Sequence, residues 1–174
     1  MMSLFAIASF VMLVLPLFLK NYGVYLMSYW LIFVLATIGL NLILGYAGLK
    51  SLGHAAFMGI AAYIVAMLMK EGINFWVAAP VAVLACFAIG WIIGYPALRV
   101  QMHYLAFATI GFNGVVALIF RNEEKYTGGT FGINNIARPS LFGYSLAGNL
   151  EFYYFILFVV LAIGLLTYFL VRSP

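Results

Sequence analysis

Residues 45–63, GYAGLKSLGHAAFMGIAAY, place a lysine, a serine and a histidine among four glycines, between two long apolar runs. Phosphate binding is the first chemistry such residues suggest, and it fails on spacing. A Walker A loop, GxxxxGK[ST], sets glycine directly before lysine so that backbone amides and the ammonium group share the phosphates. Here Leu49 precedes Lys50, and the chain has no Asp to serve as a Walker B metal ligand.

His54 carries the second chemistry. An ionisable group within a membrane span marks a functional position, because its isolation in hydrocarbon is costly. The alternative places His54 near the interface, where a neutral imidazole bonds a backbone carbonyl at a helix start. The glycines themselves allow two readings. In one they close a turn between two helices, with Ser51 capping the second. In the other the segment is an interrupted helix of the kind that lines a transport cavity, and its restart near Ser51 aims amide dipoles at a passing solute.

Enzymatic chemistry would need a paired acid and base or a metal-ligating set. Two histidines and four glutamates, mostly at the ends of apolar stretches, offer neither. His103, beside Arg99 and Gln101, reads as an interfacial residue. Arg121, Glu123, Glu124 and Lys125 read as a solvated charge cluster. Cys86 is the one cysteine and lies in VAVLACFAIGW, so no disulfide or Cys-based metal site follows. The expectation is a protein that is not an enzyme, with no catalytic residues, no metal site and no cofactor.

The elements that position these residues are membrane helices. Of the 174 residues 67% are hydrophobic and 7% charged, and the mean hydropathy is +1.16. Soluble domains carry roughly a quarter charged residues. The formal charge of +4 is assigned to span ends rather than to nucleic acid. Residues 1–19 lack a leading Lys or Arg and run too long for a secretory signal, so they read as a retained span. Crossing a core of about 30 Å takes about 20 apolar residues. Stretches 1–19, 24–44, 52–69, 75–95, 104–120 and 152–171 approach that length. The predicted fold is all-α: a polytopic transmembrane helical bundle of about six spans, glycine-interrupted near 45–54. It forms a single transmembrane domain over 1–174, with one long loop at 121–151.

Polar side chains inside the apolar runs are the pathway candidates: Asn41, Ser51, His54, Thr109 and Asn113. Two similar hexamers, ATIGLN at 36–41 and ATIGFN at 108–113, set Thr37 with Asn41 and Thr109 with Asn113 four apart on a helical face. They lie three spans apart, as inverted repeats would, although one hexamer does not make a repeat. Ala55, Gly59, Ala62 and Ala66 make one face of the third stretch nearly bare and are assigned to helix packing. In the long loop Gly128, Gly129 and Gly132 of TGGTFGI predict tight turns, and the loop's size suits a docking surface.

Three ordered segments, LNLILGYAGLKSLGHAAFMGIAAY, YPALRVQMHYLAFATIGF and TGGTFGINNIARPSLFG, resemble the inner-membrane permeases of branched-chain amino acid ABC importers. The resemblance is to the M-type subunit of the permease pair and covers the chain from LPLFLKNY onward. It implies a permease subunit that forms the translocation pathway for Leu, Ile and Val in a bacterial or archaeal inner membrane. Its implied partners are a homologous second permease, two cytoplasmic ATPase subunits, a periplasmic or lipid-anchored solute-binding protein and the lipid bilayer, with no nucleic acid. Related permeases serve urea, amides and sugars. Composition alone also allows a pore-forming or structural membrane protein.

The resemblance puts the long loop outside and both ends inside. The basic residues argue the other way, with Lys50, Arg99 and Arg172 on the inner side against Lys20, Lys70, Arg121, Lys125 and Arg138 on the outer. Family members continue past Arg172, Ser173 and Pro174 into a cytoplasmic coupling segment and further spans, so an N-terminal portion, incomplete at its C-terminus, is expected. Two positions depart from the family pattern. Lys50 stands at an apolar position, and Phe112, Asn113 and Gly114 replace a common FGE, which removes a carboxylate from the fifth stretch.

Overall fold

Apolar runs of about 20 residues with almost no charge satisfy their backbone groups most simply as helices, and this chain does so repeatedly. The computed structural model describes residues 12–48, 52–97, 102–141, 144–145 and 148–172. Five long helices form: α1 (Asn21–Asn41), α2 (His54–Lys70), α3 (Phe75–Ala97), α4 (Met102–Asn122) and α5 (Asn149–Arg172). Among the described residues, four helices are long and apolar enough to cross a membrane: α1 with its continuation to Tyr46, α3, α4 and α5. The expected count of about six differs for two local reasons. Helix α2 has 17 residues, about 26 Å of helix, just short of a full crossing. The 1–19 stretch lies mainly outside the described residues, and its visible end turns at Pro16 in a 3-10 segment, Leu15–Phe18.

Contacts divide the chain into two compact units, one of residues 1–39 with 144–174 and one of residues 40–143. In the first, α1 offers Val24, Ser28 and Leu31, and α5 offers Tyr153, Ile156, Leu157 and Val160. Steps of three and four put each set on one helical face, and their apolar members form a single core cluster. Ser28 is buried and donates to the Val24 carbonyl at 3.0 Å, which satisfies its hydroxyl within its own helix. Pro16 has no N–H for the carbonyl four residues before it, that of Met12. The hydroxyl of the fully buried Tyr153 donates to that carbonyl at 2.7 Å, and Tyr154 donates to the Leu13 carbonyl at 3.1 Å.

In the second unit α2 packs most extensively on α3 and also on α4. Helix α2 ends in a Schellman motif: Ile73 N–H bonds the Leu68 carbonyl at 3.0 Å and Gly72 N–H that of Met69 at 3.1 Å. Gly72 holds the left-handed conformation that this motif needs, φ +87°. Ala78, Ala82, Cys86 and Gly90 recur every four residues along α3, so small side chains line one face. Ala78 and Ala82 are buried, the Cys86 thiol donates to the Phe57 carbonyl at 3.6 Å, and Gly90 lies against the Phe57 ring.

The long loop starts after α4 and ends before α5. It carries one helical turn (Glu124–Thr127), a 3-10 turn (Gly129–Phe131) and a short pairing of β1 (Ser140–Leu141) with β2 (Tyr144–Ser145). Trp76 Nε1 donates to the Ser140 carbonyl at 2.8 Å and ties the loop to the start of α3. On the outer helix faces large apolar side chains stand exposed, among them Trp30, Val83, Ile92, Phe107, Phe158 and Leu170. Soluble monomers rarely expose apolar surface on this scale.

Candidate functional site

Helical backbone runs to Tyr46 and resumes at His54, on either side of residues 49–51, which lie outside the described residues. After Asn41 the backbone widens into a π turn, Leu42–Tyr46, in which Ala47 N–H reaches the Leu42 carbonyl five residues back at 3.0 Å. Such turns concentrate at functional sites. Asn41 is exposed, and its Oδ1 sits 2.6 Å from where a Cβ on Gly45 would stand, so the asparagine side chain folds over the turn because position 45 has none. Gly48 turns the chain out of the helix at φ +66°. Ser51 lies outside the described residues, as does Lys50.

The chain re-enters at Leu52, and α2 begins at His54, which is half-buried, with Gly53 as the residue preceding the helix. Gly53 is buried because it rests on α4: a Cβ there would stand 3.4 Å from Thr109 Cβ and 3.5 Å from Phe112 Cδ1. Thr109 joins the two elements chemically. Its buried hydroxyl accepts the Leu52 N–H at 2.9 Å and donates within α4, where the Leu105 carbonyl lies at 2.9 Å and that of Ala106 at 3.0 Å. Asn113 follows one turn later and is half-buried.

Below this junction α2 and α4 meet through aromatic rings, Phe57 with Phe112 at 5.4 Å and Tyr63 with Phe120 at 4.2 Å between centroids. The α4 residues involved, with the buried Leu105 and Val116, follow the steps of three and four that make a helical stripe. The small residues of α2 divide by environment. Gly59 faces Phe120, whose Cε2 would be 2.9 Å from an added Cβ, and Ala66 is buried, whereas Ala55 and Ala62 are exposed. Ala56 is the buried alanine of the first turn. The small stripe on α3 escaped the sequence reading, although its spacing of four was visible there.

At the far end of α4 the TGGTFG loop folds around Thr127. The buried Thr127 hydroxyl lies 2.7 Å from both the Phe120 and Glu123 carbonyls and accepts the Gly129 N–H at 3.2 Å. Gly128, Gly129 and Gly132 have φ values of +75°, +56° and +67°. A side chain on Gly128 would run into the Gly132 carbonyl. Nothing in the sequence pointed to Thr127, a residue type common in any loop.

Chemically the region is poor in reactive groups. Among the described residues no three His, Cys, Asp or Glu side chains gather as metal ligands. No buried side-chain nitrogen or oxygen among them lacks a hydrogen-bond partner. What the structure brings together is the start of α2, with His54, and the α4 face that carries Thr109 and Asn113, joined by the Leu52 N–H on the Thr109 hydroxyl; Asn41 stands at the end of α1, before the π turn.

Residues 22–174 match the family described as branched-chain amino acid transport system / permease component. The chain is 37% identical over 143 residues to the high-affinity branched-chain amino acid transport system permease protein LivM of Escherichia coli (strain K12), an alignment covering 81% of this chain and 34% of that protein. It is 37% identical over 129 residues to the permease of the same name from Salmonella typhimurium (strain LT2), covering 74% of this chain and 30% of that one. The chain thus spans about a third of the length of the curated relatives it matches. No solved structure matches it at a significant level. Together with the apolar helices, the extent of these matches identifies a multi-pass membrane protein that belongs to the branched-chain amino acid transport system permease family.

Proposed function

We propose that this chain forms part of the translocation pathway of an ABC importer for branched-chain amino acids in a bacterial or archaeal inner membrane. The observation that carries the reading is the family match over residues 22–174, with 37% identity to permeases named for that transport system. The interrupted helix beside a polar α4 face supports a pathway here, since non-helical backbone at membrane depth occurs where it lines a cavity. A branched zwitterion suits such a surface: apolar walls receive the side chain, and helix ends meet the ammonium and carboxylate groups.

In this proposal the complete subunit has six spans in the region covered, α2 and the 1–19 stretch being the two outside the present count of four. Residues 121–151 face outward, where a solute-binding protein docks. A second permease subunit completes the pathway, and two cytoplasmic ATPases drive it. Asn41, Ser51, His54 and Asn113 face the solute at some stage of the cycle.

Radiolabelled leucine uptake by cells carrying the complete transporter tests the reading, with unlabelled isoleucine, valine and urea as competitors. Suppression by isoleucine and valine but not by urea is expected. Suppression by urea alone would move the solute to the amide and urea class. Ion flux through the purified chain with no ATPase present would replace transport with a pore. Single cysteines at positions 41, 51, 54 and 113, challenged with a water-soluble thiol reagent, test the lining; uniform protection would remove these residues from the pathway.

A further inference from the structure

We propose that Gly45 is a positioning residue for Asn41, and that the asparagine seated this way donates from Nδ2 to the carboxylate of an amino-acid solute. Asn41 closes α1, and the π turn Leu42–Tyr46 follows it at once. A Cβ at position 45 would stand 2.6 Å from Asn41 Oδ1 and 3.6 Å from its Cγ. Apart from the turn's own backbone and the adjoining residues, no other atom comes within 4 Å of that point. The carboxamide therefore takes the space that a side chain at 45 would fill, with its oxygen toward the turn and Nδ2 farther out.

The backbone itself does not call for glycine at 45. Gly45 is not among the residues with positive φ, whereas Gly48 is, at +66°. Alanine holds a helical conformation better than glycine, which gives up more freedom on ordering. A glycine where alanine would serve the turn better is explained by the side chain lying over it. Asn41 is exposed within the apolar span Asn21–Tyr46, and no described residue accepts a hydrogen bond from its amide. Thr37, four residues earlier, differs, since its hydroxyl donates to the Phe33 carbonyl at 2.8 Å. A donor within a span needs an acceptor, and a carboxylate offers a charged one, to which hydrogen bonds are stronger. The seating of Asn41 needs only the fold; the bond to solute rests on the permease reading above.

Unfolding of the full-length permease in mild detergent tests the seating. In the Asn41→Ala background, Gly45→Ala should raise the folded-to-unfolded ratio about two- to fivefold. With Asn41 present the new methyl displaces the carboxamide, and the gain should shrink or vanish. Equal gains in both backgrounds would overturn the seating. So would failure of Gly45→Ala to fold in either background, because the backbone would then require the glycine. Leucine uptake by the assembled transporter, at saturating leucine and scaled to the folded permease in the membrane, tests the bond. Asn41→Ala should lower it about tenfold, the loss of one hydrogen bond to a charged group. Gly45→Ala should lower it too although the protein folds, and the double variant should fall no further than Asn41→Ala alone. Wild-type uptake in Asn41→Ala would remove the bond to solute, and uptake sustained by Asn41→Asp would reassign it to the ammonium group and overturn the carboxylate. Wild-type uptake in Gly45→Ala, or losses that multiply in the double variant, would remove the positioning. Absence of leucine uptake by the unaltered transporter would defeat the permease reading, and the unfolding comparison would still decide the seating.

Discussion

Tyr153→Phe removes one oxygen from the centre of the α1–α5 core and nothing else. Tyr153 is fully buried, so phenylalanine fills the same space and no cavity term enters. The lost oxygen served the Met12 carbonyl at 2.7 Å. That carbonyl has no ordinary helical partner, because the residue four positions on is Pro16. Met12 is itself exposed, so the loss is that of a hydrogen bond within a membrane bundle, which averages about 0.6 and reaches about 1.7 kcal/mol. A loss of about 0.6–1.7 kcal/mol is expected.

The neighbouring tyrosine supplies an internal control. Tyr154 donates to the Leu13 carbonyl at 3.1 Å, and the residue four on from Leu13 is Leu17, which does have an N–H. Tyr154→Phe should therefore cost less than about 0.5 kcal/mol, since its acceptor has a fallback. Pro16→Ala provides the same fallback for Met12, so the penalty of Tyr153→Phe should shrink in that background. A double-mutant cycle on unfolding of the full-length protein in mild detergent should give a coupling of about 0.5–1 kcal/mol between positions 16 and 153. No coupling between 16 and 154 is expected. Equal penalties for Tyr153→Phe with and without the proline would refute the assignment of that hydroxyl to an orphaned carbonyl.

Three further outcomes follow from geometry already described. Gly128→Ala combines a left-handed φ with a clash on the Gly132 carbonyl; limited proteolysis should find the 121–148 loop cleaved at least several-fold faster, and wild-type resistance would contradict the fold of TGGTFG. Gly59→Ala puts a methyl 2.9 Å from Phe120 Cε2, whose ring is already packed on Tyr63, so a loss of about 1–2 kcal/mol in detergent unfolding is expected. Ala82→Leu overfills the buried α2–α3 contact and should cost about 1–3 kcal/mol, whereas Leu84→Ala on the exposed face should change unfolding in detergent by less than about 0.5; similar losses for both would show that the wrong face of α3 had been assigned to packing.

The helices were legible in the sequence because apolar length is a direct physical requirement of crossing a bilayer. The stretches expected at 75–95, 104–120 and 152–171 form helices at 75–97, 102–122 and 149–172. A break was expected near 45–54, where glycines cluster, and helical backbone is described to Tyr46 and again from His54. What stayed hidden was pairing between elements. Two small-residue patterns were available, one on α2 with steps of three and four and one on α3 with steps of four, and hydropathy does not rank them. On α3 Ala78, Ala82, Cys86 and Gly90 let α2 bring its Phe57 backbone and ring close, while on α2 Gly59 meets Phe120 and Ala66 is buried.

Thr109 shows why the same limit applies to function. In the sequence it is a polar residue in an apolar helix, and it ranked with Asn41, Ser51, His54 and Asn113 as a group that faces other helices or a wet cavity. In the structure its hydroxyl is bonded to backbone. A threonine hydroxyl has one proton and two lone pairs; the proton serves a carbonyl of its own helix and one lone pair takes the Leu52 N–H. Polarity at membrane depth therefore identifies a residue that must have a partner, while only geometry tells whether that partner is cargo or chain. By that criterion Thr109 has chain for a partner, the backbone at Leu52 just before α2.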